Sequence, residues 1–320
     1  MSSELMQEKP MDIAVLFLVF NRLDPTKEVF STIRMAKPSR LYIASDGPRI
    51  DRPEEIEKVN HIRDYLLKHV DWECKIETLF REKNLGCKYA VGGAIKWFFK
   101  HEEMGIILED DCLPNQSFFK FCSDLLIKHK DDDRIGMISG RNELGVYEKS
   151  KENDYFLTNR CFIWGWASWR RSCDIFDNEI ANKNLFELFL KIFSTSSNIN
   201  EFFHRLLIIK EERKAIVNTW DYPWSLSQIF NSKLTIVPSK NMIKNIGMGS
   251  DATHTVVNAE DEVPVYELDF PLRNNNLIID KKFSVKTILI ARRNVFRIIM
   301  NLILPKSIIE KIKILLKYNQ

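Results

Sequence analysis

Apolar runs of strand length alternate with amphipathic stretches over the first half of the chain. Ile13 to Phe20 is unbroken hydrophobic sequence, and Asp24-Pro25 then supplies an N-cap and a first-turn proline for a helix reaching Ala36. Leu41 to Ala44 predicts a second strand ending at Ser45-Asp46-Gly47, and Pro53 to Lys68 a helix. Lys75 to Phe80 predicts a third strand, and Lys88 to Lys100 a helix with Val91, Ile95 and Phe98 on one face. Gly105 to Leu108 predicts a fourth strand. After it Asn115 caps a helix whose Phe118, Phe121, Cys122 and Leu125 keep the i, i+3, i+4, i+7 spacing, and Ile135 to Ser139 predicts a fifth strand. Strands without polar alternation are buried on both faces, so this βαβα order predicts an α/β fold with a mostly parallel central sheet and helices on both sides. Ligands of such folds bind beyond the carboxyl ends of the strands, where Ser45-Asp46-Gly47 and the acids after Leu108 fall.

Past residue 150 the periodicity loosens. Residues 161–171, CFIWGWASWRR, are crowded with aromatics, residues 184 to 216 predict helix, and TWDYPWSLSQIF (219–230) opens another before a strand at Leu234 to Val237. NIGMGSDATHT (245–255) is a polar loop bearing glycines. With no internal repeat and no long linker, the chain parses as an N-terminal extension (1–11), one catalytic domain (12–280) and a tail (281–320).

Composition narrows the class. At 320 residues with 45% hydrophobic and 28% charged positions, the chain can bury a sizeable core and is neither disordered nor fibrous. Its six cysteines contain no C-x-x-C pair, which predicts free thiols in a reducing compartment and argues against a thiolate zinc site. The first apolar run is too short to span a membrane and no cleavage-site pattern follows, so the expected location is cytoplasmic. The net charge of +3 is unevenly placed: residues 281–320 hold ten Lys or Arg against Glu310 alone, leaving −6 on the rest. From Phe283 to Leu304 basic residues interrupt the apolar ones, so the tail suits lying on an anionic membrane surface rather than crossing it. A helix pair packed on the domain or joining two copies is the alternative.

The sharpest chemical signal is GIILEDDCLP (105–114). Packed together, Glu109, Asp110 and Asp111 repel, and burial raises their pKa values unless a cation neutralises them, so a hard divalent ion is the natural partner. The ordinary alternative is that the strand surfaces and the acids sit in water. No G-x-x-x-x-G-K-[ST] occurs, which disfavours a P-loop hydrolase. Gly247-x-Gly249-x-x-Ala252 matches the relaxed dinucleotide fingerprint but leads into no helix, so it reads as a mobile loop. His254 on that loop either closes over a phosphate or faces solvent. Asn115-Gln116-Ser117 fits a glycosylation acceptor formally, yet reads as the helix cap. Trp164, Trp166 and Trp169 are either core or a wall for a sugar ring, with Gly165 letting backbone approach. Asp221, between Trp220 and Tyr222-Pro223-Trp224, is either a helix N-cap or a carboxylate held in aromatic surroundings as a working base.

In order along the chain, FLVFNR (17–22), ASDG (44–47), ILEDDCLPNQSFF (107–119), ISGRNELG (138–145), FIWGWASW (162–169), TWDYPW (219–224) and NIGMGSDATHT resemble the GT-A nucleotide-sugar transferases, most of all the N-acetylglucosaminyltransferase I family. The resemblance covers about residues 12 to 256. It implies a GT-A fold and sugar transfer from a nucleotide sugar, UDP-linked in that family; the acceptor expected for this chain is a saccharide or a lipid-linked one. By the same resemblance Arg22 and Asp46 hold the nucleotide, Glu109 and Asp110 meet the donor sugar and ribose, and Asp111 ligates Mn²⁺ or Mg²⁺. Asn142 and Glu143 line the donor sugar site, Gly165 and Trp166 lie under it, Asp221 is the base, and the 247–255 loop with His254 orders over the nucleotide. The chain departs from the family's eukaryotic members in carrying neither an N-terminal anchor helix nor disulfide spacing, so the acceptor does not carry over. Membrane contact through the tail, and an acceptor such as a lipopolysaccharide precursor, are expectations of the same kind.

Two other classes share parts of this pattern. A sugar-nucleotide nucleotidyltransferase uses a similar sheet and carboxylates, but its glycine-rich loop after the first strand is missing from FNRLDPTKE. A non-enzymatic membrane or nucleic-acid binder would use the basic tail, though the −6 body disfavours a nucleic-acid groove.

Overall fold

The structure is a computed structural model that describes residues 11–147, 153–214, 218–247, 263–274 and 277–290. Its centre is an eight-stranded sheet. β1 (Ala14–Val19), β2 (Arg40–Ser45), β3 (Lys75–Phe80) and β4 (Met104–Glu109) stand parallel in the order β3-β2-β1-β4. Beyond β4 the order continues through β8 (Trp166–Trp169), β6 (Ile135–Ser139), β9 (Leu234–Pro238) and β7 (Tyr155–Thr158). β8 is antiparallel to both β4 and β6, β9 is parallel to β6, and β7 closes the edge antiparallel to β9. Six strands therefore share one direction, and the expected mostly parallel α/β sheet is what the chain forms.

Both faces of this sheet are covered, which explains the uninterrupted apolar runs. In β1, Val15, Phe17 and Val19 enter one core, while Ala14, Leu16 and Leu18 enter the other. The first core meets α1 (Leu23–Ala36), α2 (Glu55–His69) and α4 (Gln116–Lys128) through Phe30, Ile33, Ile62, Leu66, Phe118 and Phe121. The second meets α3 (Gly86–His101), α5 (Arg170–Asp174) and α8 (Asp221–Phe230) through Ile95, Phe98, Cys173 and Trp224. Asn115 caps α4 as its position predicts: its Oδ1 accepts from Phe118 N at 3.1 Å, while its Nδ2 donates to Tyr266 O.

The sequence between 184 and 216 is not one helix. α6 (Leu185–Thr195) and α7 (Ile199–Arg213) form a hairpin, because Asn198 breaks the helical run and caps α7 by accepting from Glu201 N at 3.0 Å. Of the tail, α9 (Lys281–Ile290) is helical and docks Phe283 against Phe156 and Phe162. Residues 291–320, the greater part of the predicted membrane-binding tail, lie outside the described residues. No helix among the described residues is long and apolar enough to cross a membrane.

Candidate active site

The carboxyl ends of β1, β2 and β4 open on a cleft of about 1250 Å³. β1 runs out into Arg22, and β4 runs out into Glu109, Asp110 and Asp111. The Arg22 guanidinium donates through Nη2 to Asp110 Oδ1 and, at 2.9 Å, to Asp111 Oδ2. Burial opposes the charge of Arg22, but the two carboxylates more than offset it and hold its pKa above the ordinary value. One guanidinium therefore faces three acids.

The acids register the imbalance. Asp110 is 4% exposed and its Oδ2 has no hydrogen-bond partner. Burial pushes its carboxyl up to about 6 against the pull of Arg22. Glu109 is driven well above the ordinary range, first by burial and then by Asp111, Asp110 and Asp221. Asp221, at the start of α8, lines the same cleft as the trio. The Thr219 hydroxyl donates to Asp221 Oδ1 and orients that carboxylate. Cys87 lies beside them, its thiol pushed up to about 12 by burial and then by Glu109 and Asp221. It therefore stays protonated at neutral pH and is no thiolate nucleophile.

A second, small sheet holds the far rim. β5 (Cys112–Pro114) follows the trio directly and pairs antiparallel with β10 (Ile243–Asn245). The pairing continues as Ile246 N donates to Asp111 O at 2.8 Å, which seats Gly247 on the acids. A Cβ added at Gly247 would stand 2.3 Å from Asp111 Oδ2 and 2.7 Å from Arg22 Nη1. Only glycine lets the backbone come this close.

The remaining expected site residues divide. Asp46 and Glu143 line the cleft. The Asp46 carboxylate also organises the loop into α3, accepting from Gly47 N at 2.9 Å and from Leu85 N and Gly86 N at 3.1 Å. Asn142 corrects the expectation of a donor-facing side chain. It is fully buried, donates to Pro238 O and Ser239 O, and accepts from Leu144 N, so it braces a turn. Trp166 and Trp169 belong to the core rather than to a sugar-binding wall: Trp166 stacks on Trp220 at 5.5 Å and lies 4.7 Å from Trp224. Gly165, at φ +60°, makes room for Ile243, which a Cβ would strike at 2.5 Å. Of the three tryptophans Trp164 lines the cleft. His254, Gly249 and Ala252 lie outside the described residues.

Arg141 is the residue that the sequence left unremarked. It is 6% exposed, lines the cleft, and lies 4.7 Å over the Trp164 ring. Its Nε sits 3.6 Å from Glu143 Oε1, and burial lowers its pKa despite that partner. The signal was its place in ISGRNELG, directly before Asn142 and Glu143, which were singled out for other roles. Among the described residues no group of three or more His, Cys, Asp or Glu side chains is arranged to hold a metal ion.

The chain matches no known protein family and no curated protein in sequence. Solved structures resemble it in part. Over 51% of this chain and 79% of the other, HddC from Yersinia pseudotuberculosis aligns at 13% identity and a TM-score of 0.33. A UDP-glucose pyrophosphorylase complexed with UDP-glucose aligns over 73% of this chain and 93% of its own, at 11% identity and a TM-score of 0.39. S. aureus TarS 1–349 aligns over 69% and 70%, at 14% identity and a TM-score of 0.37.

Proposed function

We propose that the chain is a metal-dependent glycosyltransferase that moves a sugar from a UDP-linked donor to a saccharide or lipid-linked acceptor, inverting by single displacement. The observation that carries this reading is the single cleft, at the carboxyl ends of the parallel strands, that holds an under-neutralised acidic trio and Asp221 together. Arg22 and Asp46 flank the nucleotide, and Glu109 and Asp110 face ribose and sugar. Arg141 and Glu143 close the wall beside Trp164.

The residues fit a hard divalent ion. Asp110 Oδ2 is a buried oxygen without a partner, and the trio exceeds its one guanidinium by two negative charges if all three ionise. Asp111, itself partly exposed, offers one carboxylate, which suits Mn²⁺ or Mg²⁺ that takes its remaining oxygens from a diphosphate. When bound, such an ion stabilises the charge that develops on the leaving diphosphate. Asp221, oriented by Thr219, takes the proton of the attacking acceptor hydroxyl.

Calorimetric titration of UDP with and without Mn²⁺ tests the reading. The expected result is Mn²⁺-dependent binding that Asp111→Ala weakens at least about 100-fold. Equal UDP affinity in wild type and variant, or no UDP binding by either, would overturn it. Consumption of a nucleoside triphosphate instead of a nucleoside diphosphate sugar would favour the nucleotidyltransferase class.

A further inference from the structure

α6 has more apolar surface than the fold uses. Its sequence, LFELFLKIFST, buries Leu188 and Ile192 against α7 and α8. Leu185, Phe186, Phe189, Leu190 and Phe193 remain 60, 70, 45, 48 and 70% exposed. At about 100° per residue these five fall within a continuous arc of about 140° that adjoins the buried stripe. Glu187, Lys191 and Ser194 share the opposite side. An exposed apolar face of this size is uncommon on a monomer and marks a contact surface.

The neighbouring charge says what the contact is. Ser197 and Asn198, in the turn between α6 and α7, share a surface hollow with Lys281, Lys282 and Lys286 of α9. All three lysines are exposed. Past α9 the chain carries seven more Lys or Arg against one acid. Aromatic and aliphatic side chains on one helix, with lysines near its C-terminal end, match the two requirements of an anionic lipid surface: apolar side chains for the acyl boundary and cations for the headgroups.

We propose that the α6 face, with Lys281, Lys282 and Lys286 beside it, is a docking surface for an anionic lipid bilayer. The inserting element is thus a helix of the main domain, and the basic chain after it adds attraction. α7, the other arm of the hairpin, packs on α6 and lines the cleft with Glu201, His204 and Arg205. The proposal does not depend on sugar transfer.

Flotation of the full chain with phosphatidylcholine vesicles, with and without one quarter phosphatidylglycerol, tests it. Wild type is expected to float with the anionic vesicles. The double variant Phe186→Ser/Phe193→Ser is expected to partition at least about tenfold less, and each of Lys281→Ala and Lys282→Ala about fivefold less. Thermal unfolding of these variants should match wild type, since the side chains are exposed. In a separate variant, Phe193→Trp, tryptophan emission should shift to the blue on vesicle addition. Flotation of the double variant equal to wild type, or unchanged Phe193→Trp emission in vesicle-bound protein, would assign binding to the basic tail alone and overturn the proposal. Failure of wild type to float would also overturn it, and self-association abolished by the double variant would then make the face an interface between copies. UDP titration in the same samples reads the transferase site separately, so either reading can fail without the other.

Discussion

The cleft has a buried ion cluster at each end, and the two are built on different principles. At one end Arg22 meets Asp110 and Asp111 with Glu109 alongside, leaving an excess of carboxylate. At the other, Arg205 and Glu201 are paired one for one at 3.3 Å, with both side chains under 5% exposed. There Asn159 Nδ2 and Ser197 N also donate to Glu201 Oε2, and Thr195 and Ser196 accept from Arg205. Burial lowers the Arg205 pKa and Glu201 opposes that shift. Removing one member of a balanced buried pair strands the other, whereas a cluster with surplus charge is relieved by losing a member. An imbalance that folding does not correct is the mark of a place kept for a ligand.

Three substitutions press on this contrast. The largest effect is expected at Asp221, which adds its charge to the unbalanced end: Asp221→Asn should lower sugar transfer about 10²- to 10⁴-fold with UDP affinity unchanged. Transfer at near wild-type rate would remove Asp221 from the chemistry. Next, Glu201→Gln should destabilise the fold by about 3 kcal/mol, measured by denaturant unfolding, because Arg205 is left buried and unpaired.

The same chemical change at the other end should have the opposite sign. Glu109→Gln is expected to stabilise the metal-free protein by on the order of 1 kcal/mol at pH 8. Because burial and its neighbours raise the folded-state pKa of Glu109, wild type loses stability as pH rises above the ordinary 4.5. The gain in the variant should therefore fade as pH falls toward that value. Two Glu→Gln changes that shift stability in the same direction would break the comparison.

The half of the sheet from β3 to β4 was legible because β1, β2 and β4 are mainly apolar runs, and β3, the edge strand KIETLF, still leads into an amphipathic helix, a pattern that specifies parallel pairing. In the far half β6 and β9 were legible as apolar runs of the same kind, whereas β7 and β8 were not. β8 runs antiparallel between β4 and β6, yet its WASW reads as a cluster of aromatics with two small polar or apolar spacers. β5 and β10 are three residues each, too short to show any period. At the site, Glu109, Asp110 and Asp111 announced themselves because charge beside a buried strand demands a reason, whereas Arg22 came in only through the family resemblance. Asn142 was expected at the donor and Trp166 was left open between core and wall, because a polar or aromatic residue near such a motif looks the same in sequence whether it faces the ligand or the core. Arg141 was passed over because its burial arises from Trp164 and Ile243, both far away along the chain.

The small β5–β10 sheet sets a tolerance for the whole rim. Asp111 and Gly247 are 136 residues apart in sequence, yet one ladder of hydrogen bonds fixes both, with no room between them for a methyl group. The two positions thus behave as parts gauged from one datum. Sequence drift at either is constrained by the other, and a chain that replaces Gly247 must first find a different place for its carboxylate.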